Sequence, residues 1–412
     1  MKLSRSIVVL VLLLLVSSLV LVACGGDETT TTTAGSTDTT TAGEETTTTA
    51  PAEAITVKIG AAGPFTGQLA KIGTDALNAI TVAVEDFNAS GAMPGVTFVV
   101  EVADDAADPA KAATVAEKLA SDDSVVGVVG PMTSSAVQAA LPILEEAELS
   151  LVTQSATNDD LSAGGFTTFH RIAPKDAVQG PSIAQFMVTD LAVKKVYIID
   201  DKGTYSQGLA DNVEEALIAA GGVTVERAQI TPEDKDFAAV LTKVKAFAPD
   251  VLFMPIPSPA QAAAVAKQAQ SAGITVQLMG ADGVKDPTEY IANAGGATEG
   301  AYATSLGPMP ESVPAAKEFL DRFVLEYKET SLFTAQSYEA TMVLLDAVKR
   351  AGVVDGKIDR AAVTAALAET NYTGILGFPI AFTPEGDLAA GGVYIIQVKG
   401  DKFEQIKAIE LP

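Results

Sequence analysis

The sequence predicts an α/β protein made of two doubly wound, parallel-sheet lobes, and three observations carry that reading. Short β-branched, apolar runs recur along the chain with helix-length stretches between them. The runs are apolar along their whole length rather than alternating, as expected where helices cover both faces of a parallel sheet. The alternation of run and helix occurs as two separate series, the pattern of two doubly wound sheets. A length of 412 residues suits two such units with appendages.

In the first series, strands are predicted at 55–61, 96–102, 125–130 and 149–153, with helices at 73–87, 109–120 and 134–146. Pro142 falls inside the last helix and predicts a kink or an early stop, because proline has no N–H to donate. The second series runs strand 196–200, helix 204–220, strand 223–230, helix 236–247, strand 251–254, helix 259–272 and strand 275–279. Beyond residue 301 come helices at 311–328, 333–351 and 359–369, then strands at 393–398 and 404–409. These leftover elements predict that the chain crosses between the lobes more than once. Ligands of open α/β sheets sit beyond the carboxyl ends of the strands, so two such lobes can face a shared cleft.

Composition narrows the function. Lys and Arg total 27 against 52 Asp and Glu, a net charge of −25. That balance argues against a nucleic-acid surface and against a polybasic patch for anionic lipids, since both need clustered cations. One Cys and one His exclude a disulfide scaffold, a Cys-rich zinc site and a cluster of His ligands. No Walker sequence, G-x-G-x-x-G, H-E-x-x-H or G-x-S-x-G occurs. Asp104, Asp105 and Asp108 suggest a calcium cluster, but their spacing is not that of an EF-hand loop, and carboxylates at a strand end before a helix N-terminus explain them better. His170, in an apolar strand-like stretch, reads as a structural or surface histidine. No catalytic residue, metal or cofactor is expected.

The N-terminus reads as a targeting device. Lys2 and Arg5 precede an unbroken apolar run over 7–16, and Leu21-Val22-Ala23-Cys24 resembles the bacterial lipobox. In that motif the signal peptide, here 1–23, is removed and the cysteine is diacylated, which supplies two buried chains for stable attachment. An uncleaved membrane anchor is the competing reading of the apolar stretch. Thirteen of the twenty-two positions over 29–50 are Thr, with no apolar face at any period, so 24–54 is expected to be a disordered tether, with O-glycosylation of the Thr run left open.

Several segments then carry a resemblance. Gly60-Ala61-Ala62-Gly63-Pro64-Phe65-Thr66-Gly67 ends the first predicted strand, Asp104-Asp105-Ala106-Ala107-Asp108-Pro109 the second, and Val128-Val129-Gly130-Pro131-Met132-Thr133-Ser134-Ser135 the third. Thr153-Gln154-Ser155-Ala156-Thr157-Asn158 ends the fourth, and Asp200 to Gly208 and Gly280-Ala281-Asp282-Gly283 recur at matching places in the second lobe. Together, over residues 55–411, they resemble the leucine/isoleucine/valine-binding proteins, the solute receptors of branched-chain amino-acid ABC importers. The resemblance implies the type I periplasmic-binding-protein fold, two lobes joined by a hinge, with 55–174 and 306–384 in one and 175–305 and 385–412 in the other.

Residue chemistry agrees with part of this. Thr133, Ser134 and Ser135 lie between a buried strand and a helix start, where hydroxyls and free N–H groups at the positive end of the dipole can seat a carboxylate. An ordinary N-cap is the competing reading. In the family, the residue matching Ser134 binds the amino-acid carboxylate. The loop of Ser155, Ala156 and Thr157 matches the family's next strand-end loop, where one residue offers its carbonyl to the ammonium and another bonds the ligand's polar end. The residue matching Asp282 pairs with the ammonium, and the one matching Tyr205 swings onto the ligand on closure. Taken alone, Ser155 and Thr157 read as a Ser/Thr-rich turn, Asp282 as turn chemistry and Tyr205 as a packed tyrosine.

The chain also departs from the pattern. The family has Glu where Asp282 stands, which shortens the reach to the ammonium. Ile72 and Pro257 stand where the prototype has aromatics, and Ala107 and Thr133 where it has a disulfide. With Met132 and Phe333 these positions predict an apolar pocket beside the carboxylate seat. The expected function is a lipid-anchored, extracytoplasmic, monomeric receptor that captures an amino acid of branched-chain or related type and delivers it to a membrane permease. The alternative is a sensor of the same fold that reports a small amide, urea or aromatic carboxylate to a signalling partner. An extracellular hydrolase would need a base near Ser134, and His170 is the sole imidazole.

Overall fold

The computed structural model describes residues 54–410. The expected signal peptide, the attachment point Cys24 and the tether as far as residue 53 lie outside the described residues. Among the described residues, no helix is long and apolar enough to cross a membrane.

The first series alternates strand and helix: β1 (Ile55–Gly63), α1 (Ala70–Ser90), β2 (Val96–Asp104), α2 (Pro109–Ala120), β3 (Val125–Val129), α3 (Ser134–Glu146), β4 (Leu151–Thr153), the single turn α4 (Asp160–Ala163) and β5 (Phe169–Arg171). The strands form a five-stranded parallel sheet in the order β2-β1-β3-β4-β5. The second series is α5 (Asp176–Thr189), β6 (Lys195–Asp200), α6 (Thr204–Ala220), β7 (Thr224–Gln229), α7 (Ala238–Phe247), β8 (Val251–Met254), α8 (Pro259–Ser271), β9 (Gln277–Gly280) and β10 (Tyr302–Ser305). There follow α9 (Lys317–Tyr327), α10 (Thr334–Ala351), α11 (Arg360–Ala368), the small ladder β11 (Tyr372–Thr373) with β12 (Pro379–Ile380), and the hairpin β13 (Gly392–Lys399) and β14 (Lys402–Glu410). The seven-stranded sheet has the order β14-β13-β10-β9-β8-β6-β7, parallel except where β13 and β14 join antiparallel.

Each helix lies down because one face is apolar at helical spacing. In α1, Ile72, Ala76, Ala79, Ile80, Ala83, Val84 and Phe87 are all buried, and the helix ends at Gly91, whose φ of 64° closes a left-handed cap. On the same side of the sheet, α10 presses Leu344 onto β3, where a Cβ on Gly127 would stand 2.6 Å from Leu344 Cδ1. Truncating such a leucine to alanine costs about 2–5 kcal/mol. The opposite side buries Leu119, Val137 and Leu141 of α2 and α3 against Val125, Val128 and Leu151. The chain leaves this sheet after β5, returns after β10 so that α10 and α11 pack on it, and leaves again before β13.

Two expectations are corrected, and two further helices are clarified. The edge strands β2 and β7 are not buried throughout, since each has a neighbouring strand on one side only: Val99 and Val102 are exposed, and β7 has no fully buried residue. The helix expected at 311–328 begins only at Lys317, because Pro310 and Pro314 open two short 3-10 turns, Pro310–Ser312 and Pro314–Ala316, before it. Helix α3 runs through Pro142 to Glu146 without an early stop. Helix α5 was hidden in the sequence by Gly180 and Pro181. Both are accommodated: a Cβ at 180 would meet Asn212 Cβ at 2.5 Å, so the glycine lets α5 pack closely on α6.

Candidate ligand-binding site

The carboxyl ends of both sheets open onto one cavity of about 1030 Å3, walled by the loops after β1, β2, β3 and β4 on one side and after β6, β7, β8 and β9 on the other. Helices α2, α3 and α8 start at this rim, with their first turns capped by Asp108, Thr133 and Ser258 respectively. The rim therefore collects positive dipole ends.

On the five-stranded side, the Thr133–Ser135 segment holds the expected N-cap and also lines the cavity. Thr133 Oγ1 accepts from Ala136 N (3.3 Å) and so is an N-cap. Ser134, almost fully buried, is the first helical residue, and its Oγ accepts from Asn158 N (3.4 Å). The amides of a helix's first turn have no partner within the helix, so this strand-to-helix turn presents hydroxyls and N–H groups to the cavity that Thr133, Ser134 and Ser135 line. Ser155 lines it too, although its hydroxyl is committed to Met132 O (2.7 Å).

Ala156 and Thr157 do not reach the cavity. Ala156 O accepts from Arg171 Nη1 (3.3 Å) and Thr157 O from Asp176 N (2.8 Å), so their stretch of backbone is drawn away behind the wall. Of the three loop residues expected at the ligand, Ser155 alone lines the cavity.

The seven-stranded side brings three carboxylates to the cavity, Asp201, Glu233 and Asp282, of which Asp201 and Asp282 are buried. Asp282 lines the cavity at 3% exposure, and its Oδ1 accepts from Tyr205 Oη (2.7 Å) and Gln179 Nε2 (2.7 Å). Burial pushes its carboxyl above the ordinary range, while the bonds from Tyr205 and Gln179 pull the other way. Burial and the neighbouring Asp282 charge push the Tyr205 phenol well above its usual value, which keeps it a donor to the carboxylate. Gln179 is steadied by a second bond to Thr304 Oγ1 (2.8 Å). Lys285, also buried, has its ammonium lowered by burial and donates to Ser305 Oγ (3.2 Å). The two walls touch at the start of α6, where Thr204 N donates to Ser135 Oγ (3.3 Å) and Thr204 Oγ1 to Gln138 Oε1 (3.2 Å).

Between the polar walls lies an apolar cluster of Leu69, Ile72, Met132, Leu332 and Phe333, and Pro257 also lines the cavity. Of the residues singled out in the sequence, Ser134, Ser155, Thr133, Tyr205, Asp282, Met132, Ile72, Pro257 and Phe333 thus meet at one cavity.

This geometry can be set beside known proteins. Residues 56–402 match the family model described as periplasmic binding protein. The chain belongs to the periplasmic binding protein family. It is 30% identical to the Leu/Ile/Val-binding protein homolog 3 of Brucella melitensis, over 83% of this chain and 91% of that one. It is 32% identical to the leucine-, isoleucine-, valine-, threonine-, and alanine-binding protein of Pseudomonas aeruginosa, over 78% and 86%. Among solved structures, the substrate-binding protein LivJ of Streptococcus pneumoniae in complex with isoleucine has a TM-score of 0.77 at 28% identity, covering 87% of this chain and 99% of that one. The leucine-binding protein LivK of Thermotoga maritima gives 0.78 at 28%, covering 86% and 98%.

In this periplasmic binding protein, sequence reasoning missed Gln179, which sits in the unread helix α5 and lies 103 positions from the carboxylate it serves. It also missed Leu69 and Leu332, whose isolated apolar side chains in loops gave no periodic signal.

Proposed function

We propose that this chain is the extracytoplasmic solute receptor of an ABC importer, capturing an α-amino acid with an aliphatic side chain of the branched-chain type. The observation that carries the reading is one cavity with a hydroxyl-and-dipole seat at Ser134 on one wall and a buried carboxylate, Asp282, on the other. An α-amino acid presents the complementary carboxylate and ammonium, and the apolar cluster around Ile72, Met132 and Phe333 suits an uncharged side chain. The named relatives that bind leucine, isoleucine and valine support the ligand class.

In this reading 55–174 with 306–384, and 175–305 with 385–412, are lobes that close on the ligand by hinge rotation. Ligand favours closure only through contacts made in the closed state, so Tyr205 and Asp282 dominate that balance. Acylation at Cys24 holds the receptor at the membrane, and a permease takes the closed form. A thermal-shift screen of the purified protein against the amino acids tests the ligand. At a hundredfold excess over Kd, a true ligand stabilises by about 2.7 kcal/mol, and no shift with leucine, isoleucine or valine would sink the branched-chain assignment.

A further inference from the structure

Behind the wall of the cavity lies a polar hub around Arg171 and Asp387, neither of which lines it. Arg171, at the end of β5, is fully buried. Its Nε donates to Asp387 Oδ1 (2.7 Å), and its Nη2 to Ser162 Oγ (3.0 Å) while standing 2.6 Å from the same Asp387 oxygen. Its Nη1 turns the other way, to Asn158 O (2.8 Å) and Ala156 O (3.3 Å). Asp387 Oδ2 accepts from Lys175 Nζ (2.8 Å) and Ser162 Oγ (3.1 Å). Burial raises the Asp387 carboxyl, but the Arg171 charge and the bonds from Lys175 and Arg171 outweigh it and leave the group below its ordinary range.

The placement of these partners matters more than their number. Lys175 lies where the chain first passes from one sheet to the other, and Asp387 where it passes for the last time. That last passage is stitched to β5, since Arg171 N donates to Gly386 O (2.9 Å), and Gly386, at φ 80°, lies so close that a Cβ would stand 1.9 Å from Phe169 O. On the far side, the loop gripped by Nη1 carries Ser155 into the cavity. Its Asn158 N reaches Ser134 Oγ (3.4 Å), and Asn158 Nδ2 reaches Thr204 O (3.0 Å) on the opposite wall.

A planar guanidinium can hold a carboxylate and two carbonyls in one fixed fork, which a flexible ammonium cannot. We propose that Arg171 is a positioning residue, which couples the Asp387 and Lys175 passages between the sheets to the Ser155–Asn158 loop, whose Ser155 lines the ligand cavity. Hinge and ligand loop then form one rigid unit, so that the loop's groups stay ordered for the ligand before it arrives.

The test compares Asp387→Asn and Arg171→Lys with Leu241→Ala, a buried truncation in the seven-stranded core that does not touch the hub. In the ligand-free full chain, the proposal expects amide hydrogen exchange at 156–158 to quicken at least tenfold in both hub variants, with exchange in β8 unchanged. Leu241→Ala should lower Tm without that local effect. Exchange at 156–158 no faster in Asp387→Asn than in Leu241→Ala would overturn the proposal and reduce Arg171 to a stabiliser. Asp387→Asn keeps Arg171 and nearly the same shape, so it decides the matter if Arg171→Lys does not fold.

A second arm rests on the amino-acid reading above: the Kd for L-leucine should rise at least tenfold in the hub variants and stay within twofold in Leu241→Ala. If leucine fails to bind the unaltered protein, that reading falls, and the exchange measurement still decides the role of Arg171.

Discussion

The wall of the cavity below the five-stranded sheet presents hydroxyls and the start of α3, whereas on the wall below the seven-stranded sheet the buried carboxylate of Asp282 is held by Tyr205 and Gln179. The first spreads its polarity over several small dipoles whose side chains are already bonded to neighbours: Thr133 to Ala136 N, and Ser155 to Met132 O. The second concentrates it in a full charge that burial disfavours. A distributed seat tolerates the loss of one member. A buried charge does not.

Substitution of Asp282 by Asn should therefore have the largest effect. Losing one partner of a buried charge pair costs about 2–5 kcal/mol, so titration calorimetry with L-leucine should show affinity falling by about a hundredfold. The pH dependence has a definite sign. Because burial raises the Asp282 carboxyl, acidification protonates it before an ordinary aspartate, and affinity should weaken as pH falls through that raised value, an effect Asp282→Asn abolishes. An Asn variant that binds as tightly as the original would show the seven-stranded wall to be no more critical than its counterpart.

Next in size is a stability effect on the five-stranded wall. Asp105 is fully buried under the loop that brings Ala106 and Ala107 to the cavity, and burial pushes its carboxyl up to about 6. Its Oδ1 accepts from Ala107 N (2.8 Å), while Oδ2 has no hydrogen-bond partner. The native state thus holds this proton more tightly than the unfolded chain. Stability falls as pH rises from the ordinary carboxylate value to about 6, by about 3 kcal/mol. Asp105→Asn should remove most of that fall, raising Tm at pH 7 and changing it little at pH 4. Equal denaturant midpoints for the two proteins at pH 7 would contradict the assignment.

Ser134→Ala should cost less, about tenfold in leucine affinity or 1–1.5 kcal/mol, because the backbone amides of α3 remain in place. A loss as large as that of Asp282→Asn would show that the hydroxyl, rather than the helix start, is the seat. The smallest change is Ala107→Gly. Ala107 holds a left-handed φ of 60°, which disfavours any residue with a Cβ. Glycine there should raise the unfolding free energy from chemical denaturation by about 0.5 kcal/mol at most, since relief of strain is offset by a freer unfolded chain.

The same contrast explains what the sequence disclosed. Central strands such as β3, with every residue buried, read directly from unbroken apolar runs. The edges β2 and β7 were also placed as strands, but not with their mixed burial, since an edge strand combines exposed and partly buried positions. The strand-end loops were legible because turns before capped helices keep a recognisable chemistry, and family resemblance supplied the roles of Ser134 and Asp282. Ala156 and Thr157 were misplaced because the side chain that draws their loop inward, Arg171, lies on another strand. Gln179 and Asp387 were invisible for the same reason: their partners are distant in sequence, and a lone polar residue carries no period.

The most direct test of the two-wall account is calorimetric titration of the purified protein with L-leucine, L-leucinamide and N-acetyl-L-leucine. The amide lacks the carboxylate expected at Ser134, and the acetylated form lacks the ammonium expected at Asp282. The account predicts that leucine binds and that each analogue binds about a hundredfold more weakly or not at all, with the acetylated form losing more. An analogue that matches leucine would contradict the wall assigned to the charge it lacks.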